Sequence, residues 1–331
     1  MQPEISFIIP VYNLENYIAQ NIQSLINIKS INIEMLYVDD GSTDKSYELL
    51  SKYLGDHRIK VFKKQNGGIA QARNYGLERA LGKFVIFLDG DDYIETKVFE
   101  KLYHEHIRVD LDILIWGYEA VNSRGETIYQ NKNRYEIEVS NSISGTDFLA
   151  EYECPETVWM QMYRSDYLNK HCLRFVDELR HEEDTNFIPR ALYFAEMICI
   201  SSEKPIKYLI RENSTSRTKS LERCYNSLLS GELLKNFNKA QVSDERVRKR
   251  IDSIANRGYS NCVHYAVENN IPLDQLLSDM ALRDSLFNHF RETEGIQYKI
   301  ALILLKLKFY KTYKTLYLNY NKVRRKLDII R

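Results

Sequence analysis

The stretch that most constrains this chain is FVIFLDGDDYIE, residues 84–95. Phe84 to Leu88 is a continuous apolar run rich in Phe, Val and Ile, which reads as a strand buried on both faces. It runs directly into Asp89-Gly90-Asp91-Asp92. Carboxylates at the C-terminal end of such a strand lie at the sheet edge where open α/β folds bind ligands. Held this close they repel one another, and burying them unpaired costs several kcal/mol. A hard divalent cation that arrives with phosphates relieves the repulsion. A plain acidic turn carrying an Asp-Gly signal is the alternative, and the rest of the chain decides between the two.

Upstream of that stretch, strand-like and helix-like segments alternate. Ile5 to Ile9 is an apolar strand ended by Pro10, and 14–28 carries Leu14, Ile18, Ile22, Leu25 and Ile26 at helical spacing. Glu34 to Val38 is a second strand closed by Asp39-Asp40-Gly41. Ser42 or Thr43 is placed to cap the next helix, with Asp44 favourable in its first turn. Ile59 to Phe62 is a third strand, Gly67-Gly68 opens a helix to about Ala80, and Phe84 to Leu88 is the fourth strand. This order predicts an α/β fold with a mostly parallel, doubly wound sheet and right-handed crossovers.

Beyond Tyr93 the rhythm loosens. Helices are expected over 96–107, 146–152 and 184–195, and strands over 112–121, 197–200 and 206–210, with an irregular hairpin over 127–139. After Leu221 only helical periodicity remains, broken at Pro272 and Gly295. The expected organisation is a core domain over 1–220, divided into halves 1–95 and 96–220, followed by an all-helical region over 221–331.

Four motifs fall at or just after strand ends: FIIPVYN (Phe7–Asn13), VDDGSTD (Val38–Asp44), NGGIAQARNYGL (Asn66–Leu77) and FLDGDD (Phe87–Asp92). Together they resemble the family 2 glycosyltransferases of the GT-A fold, inverting enzymes of bacterial polysaccharide synthesis. The resemblance is strong over 1–95 and looser over 96–215. It implies a nucleotide-diphosphate sugar donor, with a UDP-sugar favoured, and Mn²⁺ or Mg²⁺ as cofactor. Donor contacts are implied at Pro10, Tyr12, Asp40, Arg73, Asp89, Asp91 and Arg211. Tyr12 either stacks on a pyrimidine or fills the core. Asp40 accepts from the base, or belongs to a turn. Arg73 offers its fork of donors to base or phosphate, or lies at the surface. Among Asp89, Asp91 and Asp92, one carboxylate bonds the ribose and another holds the metal, with the assignment open.

Inverting transfer needs a base for the acceptor hydroxyl. The resemblance places it at Asp184, with Glu183 its partner, in His181-Glu182-Glu183-Asp184; the plain alternative is an acid-rich helix start. Arg211 and Arg217 lie in a polar segment that resembles the family's loop over the diphosphate. Trp159 opens an acceptor-side segment, WMQMYR, and either stacks on sugar or packs in the core.

Other chemistries are disfavoured. HEEDT is not HExxH, no Walker loop or GxGxxG is present, and PVYNLEN replaces the glycine-rich loop that a sugar nucleotidyltransferase needs after its first strand. Asp89-Gly90-Asp91 also lacks the Thr or Val of a haloacid-dehalogenase-like phosphatase. A non-catalytic relative that binds sugar nucleotides is the remaining rival. Five scattered cysteines without a CxxC pair suggest a reducing cytoplasm. Pro3 and Glu4 argue against a leader, and no apolar run reaches the roughly 18 residues of a membrane span.

The overall charge balance hides an asymmetry. Residues 296–331 carry ten Lys or Arg against Asp328 alone, a net +9, which leaves 36 bases against 45 acids elsewhere. Basic residues interleaved with Tyr and Leu suit a helix lying in an anionic membrane interface. A subunit contact in a homo-oligomer is the rival, and nucleic acid is disfavoured because no basic patch exists elsewhere. The combined expectation is a cytoplasmic enzyme, peripheral to the inner face of the cell membrane, that glycosylates a glycan or lipid-linked glycan.

Overall fold

The computed structural model describes residues 2–107, 110–130, 142–155, 157–211, 220–268 and a few positions between 283 and 291. The expectations for 131–139, Arg217, Pro272, Gly295 and the basic tail lie outside these residues. The chain divides into two units, Met1–Arg217 with Ala240–Ile251, and Thr218–Lys239 with Asp252–Arg331. Residues 240–251, expected in the helical region, thus group with the first unit.

The first unit begins with β1 (Ile5–Val11), α1 (Ile18–Ile26), β2 (Ile33–Asp39), α2 (Ser46–Ser51), β3 (Ile59–Lys63), α3 (Ile69–Leu77) and β4 (Phe84–Phe87). β1 does not stop at Pro10 as expected. Its ladder with β4 covers only Ile5 to Ile8, while its ladder with β2 continues to Val11. Pro10 therefore sits where the strand is paired on one side, the position that tolerates a missing N–H. The cap of α2 also differs from expectation. Asp44 Oδ1 accepts Ser46 N at 2.9 Å, whereas Ser42 Oγ accepts Asn13 N at 3.1 Å. A carboxylate ahead of the helix outcompetes the hydroxyls for its first free N–H.

The second half contributes β5 (Tyr93–Ile94), α4 (Thr96–His106), β6 (Ile113–Ile115), β7 (Tyr118–Val121), β8 (Thr127–Gln130) and α5 (Gly145–Glu151). A 3-10 turn (Val158–Met160), β9 (Gln161–Arg164), α6 (Ser165–Lys170), α7 (Glu183–Phe194), β10 (Ile198–Ile200) and β11 (Ile206–Leu209) follow. The large sheet has the order β10-β6-β9-β4-β1-β2-β3, and β9 runs antiparallel between β4 and β6. The other pairings in this sheet are parallel.

The single strand expected over 112–121 is two. β6 belongs to the large sheet, while β7 lies in a four-stranded sheet ordered β5-β11-β7-β8. The switch falls at Trp116-Gly117. Trp116 is buried and its indole N–H donates to Trp159 O at 3.0 Å, while Gly117 N donates to Glu203 O at 2.9 Å.

Helices flank the large sheet because each has one apolar stripe to cover. In α1 the buried positions are Ile18, Asn21, Ile22, Ser24 and Leu25. The core runs from β1, β2 and β4 through α1 and α4 to Trp116, Trp159 and Met162.

The second unit holds α8 (Leu221–Gln241) as far as Lys239 and α9 (Glu245–Glu268) from Asp252 onward. They approach closely at two glycines. A Cβ on Gly231 would lie 2.8 Å from Ala255 O, and one on Gly258 would lie 2.4 Å from Ser227 O.

Within the first unit, α5 meets α7 at Gly145, where a Cβ would fall 1.6 Å from Leu192 O. Glycine-to-alanine changes in helices usually stabilise by roughly 0.5–1 kcal/mol. Gly145→Ala is expected to do the reverse, costing about 2 kcal/mol through overpacking against a backbone that cannot move aside. A denaturant titration would show it as a lower midpoint with an unchanged slope.

Candidate active site

Because β1, β2, β3 and β4 run parallel, their C-terminal ends share one sheet edge. The chain after each strand end supplies part of a polar cluster there. After β1, Tyr12 is 46% exposed, which rules out the core alternative. Next to it Asn13 adopts a positive φ of 54°, and its side-chain oxygen accepts Thr43 N at 2.8 Å, tying this segment to the one after β2.

Asp40, after β2, is buried, and both its oxygens are engaged. Lys64 Nζ donates at 2.6 Å and Gly67 N at 3.0 Å to one oxygen, and Gly68 N donates at 2.7 Å to the other. The carboxylate thus organises the turn that opens α3. Gly68 needs its freedom there, with φ at +95°. Contact between Asp40 and a base would have to use the lone-pair capacity that these three donors leave, about one of four sites. Its neighbour Asp39 is also buried, and one of its oxygens has no hydrogen-bond partner among the described residues.

Arg73, on α3, is buried at 1% exposure, which removes the surface alternative. Nη2 donates to Asp89 Oδ1 at 2.9 Å, and Nη1 donates to Glu183 Oε1 at 2.9 Å and to Asp184 Oδ1 at 2.7 Å. One guanidinium therefore joins the acidic triplet after β4 to the acidic pair that opens α7. Burial alone would lower its pKa, and the three carboxylates override that and raise it.

Asp89, Asp91 and Asp92 each offer an oxygen within 4.8 Å of the others. Asp92 is buried. One of its oxygens accepts Leu209 N at 2.9 Å, and the other has no partner among the described residues. Burial first, then the neighbouring Asp89, pushes the Asp91 carboxyl up to about 6. Burial and the charges of Asp91 and Asp89 raise Asp92 as well. Carboxylates destabilised as anions, with one buried oxygen unsatisfied, fit a hard divalent cation. The backbone of this turn is held by Asn21, whose amide donates to Asp92 O at 2.8 Å and Asp89 O at 3.2 Å and accepts Tyr37 OH at 2.9 Å.

The acidic pair begins at a strained corner, since Glu182 has φ at +62°. Asp184 Oδ2 accepts Val158 N at 3.2 Å. Burial, and then the charge of Asp184, pushes Glu183 up to about 8. Burial also raises Asp184, with Arg73 opposing. Arg211 completes the cluster by pairing with Asp91 Oδ2 at 2.5 Å. Trp159, in contrast, is 3% exposed and stacks on Tyr208 at 5.6 Å, so it packs as core.

Sequence reasoning missed Asn21, Lys64 and Tyr37. Asn21 carries a readable signal, as a polar residue within the apolar stripe of α1. Lys64 and Tyr37 carry none, because a lysine after a strand and a tyrosine inside one are ordinary.

This arrangement on a mostly parallel sheet is that of a GT-A fold. The family model described as Glycosyl transferase family 2 matches residues 6–172, and the chain belongs to that family. The uncharacterized glycosyltransferase EpsJ of Bacillus subtilis (strain 168) is 32% identical over 225 residues, 66% of this chain and 64% of EpsJ. Glycosyltransferase GlyA of Streptococcus pneumoniae serotype 4 is 30% identical over 274 residues, 80% of this chain and 36% of GlyA. The chain thus spans less than two thirds of either relative. Among solved structures, TarS 1-349 of S. aureus in complex with UDP-GlcNAc superposes with a TM-score of 0.70 at 22% identity, over 96% of this chain and 92% of that one. That likeness bears on the fold.

The proton held by Glu183 has a measurable consequence. In the folded chain the group binds its proton up to about pH 8, against a usual value of 4.5. The folded state then holds more protons than the unfolded one across that window, so stability declines as pH rises through it. Without divalent cation, the melting temperature should fall between those limits, and Glu183→Gln should flatten the fall. An unchanged slope in the variant would place the proton elsewhere.

Proposed function

We propose that this chain is an inverting glycosyltransferase that moves a sugar from a nucleotide diphosphate to a glycan hydroxyl. The observation that carries the reading is the Arg73 bridge between Asp89 and the Glu183–Asp184 pair. A donor-side carboxylate and a candidate base are held on one guanidinium, which suits a reaction whose acceptor attacks opposite the leaving group. A UDP-sugar is the favoured donor, supported by the structural neighbour TarS, whose solved complexes contain UDP and UDP-GlcNAc.

In this reading Tyr12 offers its exposed ring to the uracil, and Pro10 shapes the strand end beneath it. Asp40 and Arg73 act on the donor mainly by ordering the segments that meet it. Asp89, Asp91 and Asp92 would hold Mn²⁺ or Mg²⁺. When bound, such an ion neutralises charge on the leaving diphosphate. Asp184 takes the acceptor's proton, and Glu183 stands beside it on the same arm of Arg73. Arg211 supplies a positive group beside the diphosphate.

The acceptor is proposed to be a lipid-linked saccharide in cell-surface polysaccharide synthesis. The +9 segment 296–331 supports work at an anionic membrane surface, consistent with a cytoplasmic, membrane-peripheral enzyme. No helix among the described residues is long and apolar enough to cross a membrane. The proposed domain division keeps 1–220 as the transferase core and 221–331 as the helical appendage.

Screening nucleotide sugars for diphosphate release, with and without EDTA, tests the reading, and full activity in excess EDTA would remove the metal role. Asp184→Asn should retain donor binding and lose about 10²–10⁴-fold in transfer, as expected for a group acting only in the chemical step. Transfer near the wild-type rate would move the base elsewhere, with Glu183 next. The full chain should sediment with anionic vesicles and not neutral ones, and release as salt shortens the Debye length from about 10 Å at 0.1 M to about 3 Å at 1 M. Equal binding to both vesicle types at every salt concentration would defeat the electrostatic anchor.

A further inference from the structure

The acidic triplet already carries a cation of its own. Arg211 Nη2 lies 2.5 Å from Asp91 Oδ2, with both side chains largely buried, at 19% and 14% exposure. The guanidinium sits 5.0 Å from the centre of the Tyr17 ring, which supports it from one side. Two residues earlier, Leu209 N donates to Asp92 Oδ1 at 2.9 Å, so the end of β11 is pinned to the same triplet. The guanidinium Nε is buried without a hydrogen-bond partner among the described residues, so its fork is only partly used there. Asp89 is bound from the opposite direction by Arg73. Asp91 is thus the carboxylate whose charge is answered by Arg211.

We propose that Arg211 is an internal competitor for the metal, occupying Asp91 until a metal–diphosphate pair enters and then exchanging the carboxylate for the diphosphate. This rests on the reading of Asp89, Asp91 and Asp92 as metal ligands. A guanidinium and a divalent ion cannot share one carboxylate oxygen at bonding distance, because their like charges repel. Metal arriving alone either displaces Arg211 from Oδ2 or takes the other oxygen of Asp91 against the like charge of the guanidinium, and both oppose its binding. Metal arriving with a diphosphate offers Arg211 a second anion with the oxygen geometry that a guanidinium fits. Binding of metal and of donor then becomes coupled through one side chain, and linkage makes the coupling reciprocal. A chain with this device would resist loading metal without donor.

The test is a titration of the full, nucleotide-free chain with Mn²⁺, read by calorimetry or by the free-ion paramagnetic resonance signal. Arg211→Ala should bind Mn²⁺ on the order of tenfold tighter than wild type, the factor expected for one lost charged hydrogen bond. Arg211→Gln should do the same while keeping the side chain's length, and Arg211→Lys should fall between. In an Asp91→Asn background, removing Arg211 should change Mn²⁺ affinity much less. Thermal melting establishes that each variant is folded. If Arg211→Ala and Arg211→Gln bind Mn²⁺ no more tightly than wild type, the competition is refuted while the metal site stands. If neither wild type nor variants bind Mn²⁺, the metal reading itself falls.

Discussion

The site depends on one buried cation. Arg73 lies on α3, a helix of the first half, and its three partners come from the end of β4 and the start of α7. An arginine at 1% exposure cannot lose its charge and must be paired. Three carboxylates over-answer it, leaving a local excess of negative charge that burial makes costly. Burial is the first reason that Glu183 is pushed up to about 8 and that Asp184 is raised, with neighbouring carboxylate charge adding to it. The same bond set ties together segments 110 residues apart in sequence, so the geometry between the triplet and the pair is set by a short rigid fork.

The surrounding structure supports that fork from below. Asn21 reaches from α1 to the backbone at Asp89 and Asp92 and is itself held by Tyr37 OH from β2. Asp40 holds the Gly67-Gly68 turn, which sets where α3 starts and therefore where Arg73 points. Gly41, with φ at +78°, allows Asn66 N to come within 2.9 Å of where a Cβ would stand, bringing the second and third strand ends together. Asn21 and Asp40 are buried polar side chains bonded to backbone, the arrangement that keeps such groups affordable inside a protein. The acidic residues are thus positioned by helices and strands rather than by their own loops.

Much of this was legible from residue order. Apolar runs marked β1, β2 and β4, and the carboxylates at their ends marked the sheet edge. The parallel half reads well because each buried strand is a continuous run and each crossover is helical. β9 escaped because Gln161 and Arg164 look polar, although Gln161 is buried opposite Ile115 of β6. The split of 112–121 escaped because both pieces are apolar, and only the Trp116 and Gly117 hydrogen bonds show where the chain changes sheet. The members of the acidic cluster could be named from the sequence, and their partnerships could not. Arg73 looked like a ligand for phosphate or base, since nothing local announces a partner more than a hundred positions away.

That distinction bears on how charge is arranged here. The triplet, the pair, Asp39 and Asp40 place seven carboxylates near one sheet edge, with Arg73, Lys64 and Arg211 as the cations bonded among them. Lys64 and Arg73 are committed to structure, each gripping groups from different segments. Among the described residues, Arg211 pairs with a single carboxylate through one arm of its fork. Its bond is the one that can be exchanged without unpinning a turn or a helix. A site with surplus negative charge needs incoming positive charge, and a donor diphosphate needs its own negative charge answered. Fixed cations hold the frame, and the exchangeable one sits where both needs meet.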